Sequence, residues 1–236
     1  LIPPSLILII YGVLSETSIL KLFIPGIIPG LLLALCYMGY LGLRATITPS
    51  MVPQDDSKPT WRDRMVGLVD LGPVVFLILL VMGSMYGGFA SPSEAAAVGV
   101  LGAILVAAGQ RTLNWQTIRK SCLGAVRTTS MIALIVAGAV FLSVSMGFLG
   151  VPRTIAGEIA AMQLSPMALI LLLLAFYAVL GCVLDGLSSI VMTLPIVMPI
   201  ITTAGYDPIW FGIFLVLVVE MSQITPPVGF NLFVIQ

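Results

Sequence analysis

Two consecutive prolines inside a membrane-length apolar run restrict this chain more than any other feature. The run extends from Ile209 to Ile235 and contains Thr225-Pro226-Pro227-Val228-Gly229-Phe230-Asn231. A proline lacks a backbone N–H, and its ring clashes with the preceding turn, so an α-helix breaks there. Gly229 offers backbone conformations that other residues avoid. In lipid, each polar backbone group freed by a break costs several kcal/mol unless protein, water or a bound ion satisfies it. The segment is therefore expected to form one wall of a binding site at mid-membrane depth. The chain opens with the same device, Leu1-Ile2-Pro3-Pro4-Ser5-Leu6, again followed by an apolar run. Matching breaks in two halves of a membrane protein are the best sequence pointer to a transporter's site.

Composition agrees with a membrane setting. Only 8% of the residues are charged and 59% are hydrophobic, whereas a soluble domain carries roughly 25% charged residues. The apolar stretches are long and contain few period-2 alternations, which argues for helices rather than an outer-membrane barrel. The fold class expected is an all-α polytopic membrane protein. Ten basic and ten acidic residues cancel, so no nucleic-acid partner is indicated. Histidine, the commonest metal ligand and general base, does not occur. Cys36, Cys122 and Cys182 are isolated and read as small packing residues. The chain starts and stops inside apolar runs, and the expectation is a later part of a longer protein.

Taken in order, the chain divides into four stretches. Residues 1–43 hold the first break, an apolar limb closed by Ser15-Glu16-Thr17, and a span from Ile24 to Leu43. Residues 44–70 form a polar loop, and Thr60 with Asp63 resembles a capping box starting a helix along the membrane surface. Residues 71–127 hold a span from Leu71 to Tyr86 and an interruption at Gly87 to Glu94. Within that interruption, Ser91 suits an N-cap, Pro92 the first helical position, and Glu94 the positive end of the helix. A small-residue span and a basic amphipathic stretch, Gln110 to Arg127, follow. That last stretch is expected to lie in the interface plane beside anionic lipid. Residues 128–236 contain a span from Thr129 and an apolar pair, Pro166 to Leu184 and Ile190 to Thr203. The second limb of that pair is short and carries Pro195 and Pro199, so the pair reads as a re-entrant hairpin with Asp185 to Ser189 at its tip. Asp207 is expected to cap the last helix.

The two most basic loops lie two spans apart, hence on one side, which the positive-inside rule makes the cytoplasm. Counting spans from there places the two double-proline breaks on chain segments of opposite direction, an inverted repeat. Asp185 is an ionisable group in an apolar neighbourhood, and such a residue is a functional candidate by default. With Gly186, Ser188 and Ser189, and with Thr225 opposite, it offers carboxylate, hydroxyl and backbone oxygens, a donor set that suits a hard cation such as sodium. Asp185, Ser188 and Thr225 are the metal candidates. Pro4 and Ser5 in the first break, and Gly229 and Asn231 in the second, complete the candidate site.

These residues resemble the large permease subunit of tripartite ATP-independent periplasmic (TRAP) transporters, the DctM-like family. The resemblance runs through Ile2-Pro3-Pro4-Ser5, Tyr11-Gly12 with Glu16-Thr17-Ser18, and Gly26-Ile27-Ile28-Pro29-Gly30. It continues through Gly87-Gly88 with Ser91-Pro92-Ser93-Glu94-Ala95-Ala96, then Leu184-Asp185-Gly186, and Thr225-Pro226-Pro227-Val228-Gly229 with Asn231-Leu232-Phe233. Ser91 and Ser93 stand where the family more often has threonine, and the hydroxyl is kept. The resemblance implies an elevator-type, sodium-coupled importer of organic acids, such as C4-dicarboxylates, in a bacterial or archaeal inner membrane. It implies a periplasmic substrate-binding protein and a small membrane subunit as partners, and no cofactor beyond the coupling ion. It places Pro4 and Ser5 in the first unwound helix, and Asp185, Gly186, Ser188, Thr225 and Gly229 in the second hairpin and its facing break.

Two other functions compete. In an intramembrane aspartyl protease, Asp185 and Asp207 would be paired carboxylates. A passive channel would need a continuous polar path rather than two discrete breaks.

Overall fold

A computed structural model describes residues 2–49 and 60–225 of the chain, and apart from a 3₁₀ position at Pro49 every regular element among these residues is an α-helix. In order they are α1 (Leu6–Leu14), α2 (Ile19–Ile47), α3 (Trp61–Tyr86), α4 (Pro92–Gly109), α5 (Trp115–Phe148), α6 (Val151–Ala161), α7 (Pro166–Gly181), α8 (Gly186–Thr203) and α9 (Pro208–Ser222). Five of them, α2, α3 (from Met65), α4, α5 and α8, are long and apolar enough to cross a membrane. Helices α7 and α9 are apolar but have only 16 and 15 residues.

One local rule starts three of these helices. Ser91-Pro92, Ser165-Pro166 and Asp207-Pro208 each place an oxygen-bearing cap before a proline at the first helical position. The cap satisfies an amide that the helix leaves unpaired, while proline has none to leave. At Ser91 the box is reciprocal: Glu94 N–H donates to Ser91 Oγ at 3.4 Å, and Ser91 N–H donates to Glu94 Oε2 at 2.7 Å. Asp207 Oδ1 accepts from the amides of Ile209 and Trp210 at 2.7 and 3.1 Å. Helix α8 runs unbroken through Pro195 and Pro199. Thr202 and Thr203 turn their hydroxyls back onto the Met198 and Pro199 carbonyls at 2.9 and 2.7 Å, occupying acceptors in this last, proline-weakened turn.

Two elements differ from the sequence expectation. The surface helix expected at Trp61 and the span expected from Leu71 are one 26-residue helix, α3, that passes through Pro73. The basic stretch expected to lie flat in the interface is continuous with the span after it, as the 34-residue α5. Both joins fall where polarity changes; α5 has no proline at all, and the one bond lost at Pro73 does not end α3.

The chain forms two compact units. One comprises residues 5–25 and 121–236, the other residues 2–4 and 26–120. In the second, α3 and α4 turn back on each other through Gly87-Gly88, with Gly88 in the left-handed region at φ 72°. Gly99 and Gly102 of α4 let Val81, Leu77 and Leu80 of α3 approach closely; a Cβ on Gly102 would lie 2.6 Å from Leu80 Cδ2. Small residues at a helix contact serve this purpose in membranes.

The first unit carries the main core. Leu173 and Tyr177 of α7, Ile190 and Leu194 of α8, and Phe211 and Leu215 of α9 pack into one cluster with Tyr11 of α1. Tyr11 is fully buried, and its hydroxyl donates to the Pro208 carbonyl at 2.6 Å. Its ring packs closely against Gly212, where a Cβ would come within 2.6 Å of Tyr11 Cε1. Helix α1 is thus fixed to the start of α9 through a glycine and a tyrosine.

Candidate functional site

Helix directions in the first unit decide what meets what. Helices α7 and α8 form an antiparallel hairpin. The Tyr177 and Thr193 hydroxyls meet at 2.7 Å, and these residues lie equally far before and after Asp185 in the chain. Thr193 Oγ1 donates to the Ser189 carbonyl at 2.6 Å, which leaves Tyr177 as the donor across the hairpin. Helix α9 follows α8 through the short turn 204–207 and runs back antiparallel to it, so its last turn returns to the start of α8. Helix α1 runs parallel to α8. Ile10 clusters with Val191 and Leu187, while Leu14, Ser15 and Glu16 border a cavity with Leu194, Pro195 and Met198. One end of this unit therefore collects the N-termini of α1 and α8 and the C-termini of α7 and α9.

That end is where the buried polar side chains are. Among the described residues, Ser5, Ser189, Ser222 and Gln223 are the polar side chains that are buried, at 9%, 0%, 1% and 7% exposure. All four belong to the helix ends just named. Buried polar groups are costly unless partnered, so their concentration at one end of an apolar core marks it as different in kind. Two glycines allow the close approach. A Cβ on Gly181 would collide with Ser222 Oγ, and one on Gly186 would collide with the Gln223 amide and lie 2.8 Å from Val219 Cγ1.

The candidate residues take these places. Asp185 is the N-cap of α8, and its Oδ2 accepts the Ser188 amide at 3.1 Å. Gly186, Ser188 and Ser189 are the first turn of α8 rather than a loop, and Ser189 Oγ donates to the Asp185 carbonyl at 2.9 Å. Ser5 caps α1, accepting the Leu8 amide at a long 3.5 Å, and Pro4 stands just before it. Thr225 follows the end of α9, exposed, with its hydroxyl on the Met221 carbonyl at 3.0 Å. Helix α9 stops at Ser222, ahead of Pro226. Gly229 and Asn231 lie outside the described residues. Ser5, Asp185, Gly186, Ser188 and Thr225 are thus drawn to the same end of one unit, while Pro4 belongs to the other.

Sequence reasoning missed Ser222 and Gln223. Their signal was a polar pair directly before Thr225 in an otherwise apolar run. Only the packing of Gly181 and Gly186 against them reveals that they face the hairpin tip.

The protease arrangement is not formed. Asp185 and Asp207 lie at opposite ends of the 18-residue α8, about 27 Å apart at 1.5 Å per residue. Each carboxylate is occupied in capping a different helix. Among the described residues no cluster of three or more metal-ligating acids, cysteines or histidines occurs. A cation at this end would have to draw on hydroxyl and backbone oxygens beside the Asp185 carboxylate, with Glu220 in the last turn of α9.

The whole chain, residues 1–236, matches the family model described as tripartite ATP-independent periplasmic transporter, DctM component. It is similar to the C4-dicarboxylate TRAP transporter large permease protein of Pseudomonas aeruginosa, at 34% identity over 99% of this chain and 54% of the relative. It is also similar to the ectoine/5-hydroxyectoine TRAP transporter large permease protein of Ruegeria pomeroyi, at 32% identity over 99% of this chain and 54% of the relative. The sialic acid TRAP transporter large permease protein of Vibrio cholerae is 31% identical, over 100% of this chain and 55% of the relative. The chain spans about half the length of these curated relatives.

Proposed function

Because the chain belongs to the DctM component family of tripartite ATP-independent periplasmic transporters, we propose that it forms part of the large membrane subunit of a sodium-coupled importer of small organic acids. The observation that carries this reading is the gathering of buried polar side chains and four helix ends at the Asp185 tip. Helix N-termini carry partial positive charge and bind anions, while helix C-termini carry partial negative charge and favour cations. The N-termini of α1 and α8, at Ser5 and Asp185, would face the substrate carboxylate. Sodium would take oxygens from Asp185, Ser188 and Thr225, with carbonyls from the end of α9. Gly186 and Gly229 would let the backbone approach the cargo, and Pro4 and Asn231 would line the two breaks.

On this reading the α7–α8 hairpin is re-entrant; its first limb has 16 residues, about 24 Å against a core of about 30 Å, while its second, at 18 residues, is longer than expected. The site would move across the membrane in an elevator stroke. The setting would be a bacterial or archaeal inner membrane. A periplasmic binding protein would deliver the substrate, and a small membrane subunit would complete the complex. The relatives' names span dicarboxylate, ectoine and sialic acid; carboxylates related to C4-dicarboxylates are the substrate class we assign.

The test is uptake into proteoliposomes by the complete transporter, with a panel of dicarboxylates, sugar acids and keto acids. The expected result is saturable uptake of a panel member that follows an imposed sodium gradient. Flux that neither saturates nor responds to sodium would contradict the reading and favour a passive channel.

A further inference from the structure

We propose that the turn between α4 and α5, with the first turns of α5, binds the headgroup of an acidic phospholipid. The site comprises Arg111, Trp115, Arg119 and Lys120, all exposed. The sequence carries no Asp or Glu between Glu94 and Glu158, so no acid in that stretch competes for these cations.

Helix length fixes their depth. Helix α4 has 18 residues, about 27 Å, close to the hydrocarbon core of about 30 Å. The chain leaves α4 at Gly109, so Gln110 to Asn114 emerge at headgroup level. Helix α5 has 34 residues, about 51 Å, well beyond what the core accommodates. Its uninterrupted apolar portion begins near Met131, and its first turns therefore stand outside the hydrocarbon. Trp115, 78% exposed, sits where aromatic side chains mark the membrane interface.

The turn is built rather than loose. Arg111 adopts the left-handed conformation at φ 56°, and the amides of Thr112 and Leu113 donate to the Ala107 carbonyl at 2.9 and 3.2 Å. Asn114 caps α5, accepting the Thr117 amide at 2.8 Å, and Thr117 Oγ1 returns to the Thr112 carbonyl at 3.2 Å. These bonds hold the cations beside the positive end of α5. Trp115 and Arg119, four residues apart, share a face of the helix, so an indole and a guanidinium meet one headgroup together. A phosphodiester with a net negative charge matches this set, and a zwitterionic headgroup matches it less well.

The experiment is native mass spectrometry of the complete large permease released from micelles containing phosphatidylglycerol or phosphatidylcholine. Wild-type protein is expected to retain phosphatidylglycerol over phosphatidylcholine. The variant Arg111→Gln/Arg119→Gln/Lys120→Gln is expected to lose that preference by roughly tenfold or more. A Lys21→Gln control is expected to keep it. The substituted side chains are exposed, and an unchanged thermal melt verifies the fold. Equal retention of both lipids by wild type, or an undiminished preference in the triple variant, would overturn the proposal. So would stabilisation by inorganic phosphate equal to that by phosphatidylglycerol, since the site would then belong to a soluble anion.

Discussion

Asp185→Asn, introduced into the complete transporter, is expected to leave the protein folded while raising the sodium concentration for half-maximal uptake by about tenfold or more. Asparagine caps a helix about as well as aspartate, so the Ser188 amide that now bonds Asp185 Oδ2 at 3.1 Å keeps a partner. What disappears is the charge. Loss of an anionic ligand worth 1.4 kcal/mol is tenfold in affinity, and a carboxylate on a hard cation contributes at least on that order. Asp185→Ala removes cap and charge together and is expected to add a stability loss of about 1 kcal/mol. Thr225→Ala, at the far side of the same end, is expected to weaken sodium dependence without a comparable fall in melting temperature, since Thr225 is exposed. Sodium-titrated uptake alongside thermal melts separates these effects. Unchanged uptake and unchanged sodium dependence in both Asp185→Ala and Thr225→Ala would remove the tip from the cation site.

The largest structural loss is expected at Gly181. An added methyl there collides with Ser222 Oγ and lies 2.7 Å from Ser222 Cβ. Ser222 is 1% exposed and donates to the Val219 carbonyl at 2.7 Å, so it has no free direction to yield. Overpacking of this kind costs about 1–3 kcal/mol, and Gly181→Ala is expected toward the upper end. Gly181→Val should exceed it. The compensating variant Gly181→Ala/Ser222→Gly returns the volume and is expected to recover most of the melting temperature, apart from the cost of a helical glycine, about 1 kcal/mol. A Gly181→Ala protein that melts like wild type would show that α7 and α9 do not approach at this point.

Much of this arrangement is legible in residues, and what is not has definite causes. Caps followed by proline at Ser91 and Asp207 state a helix start in local chemistry alone, and both starts fall there. Helix α9 ends at Ser222, and the double-proline break expected at Pro226-Pro227 lies outside the described residues. Boundaries set by polarity fared worse. Trp115 to Arg127 differs in character from the apolar stretch after it, yet no proline falls between Trp115 and Phe148, and the backbone continues as one helix. Pro195 and Pro199 weaken α8 without ending it, because lost amide bonds inside a packed hairpin are outweighed by the burial of Ile190, Val191, Leu194 and Ile201. Ser222 and Gln223 were invisible for another reason. Their importance rests on which glycines face them, and that is a property of packing between helices distant in sequence.

Everything proposed for transport depends on the end of α9 lying against the start of α8. Disulfide trapping measures this contact directly. With Cys36, Cys122 and Cys182 replaced by serine, Gly186→Cys and Gln223→Cys are introduced together in the complete transporter. Gln223→Cys removes the amide that a Cβ at position 186 would strike, and Val219→Ala, added in the same protein, removes the Cγ1 that would lie 2.8 Å from it, so that a bridge needs only the usual Cβ separation of about 3.5–4.5 Å. Rapid bridging under mild oxidant, with bridging slowed by sodium and substrate, is the expected result. Two thiols that stay free under the same oxidant in folded protein would contradict the account.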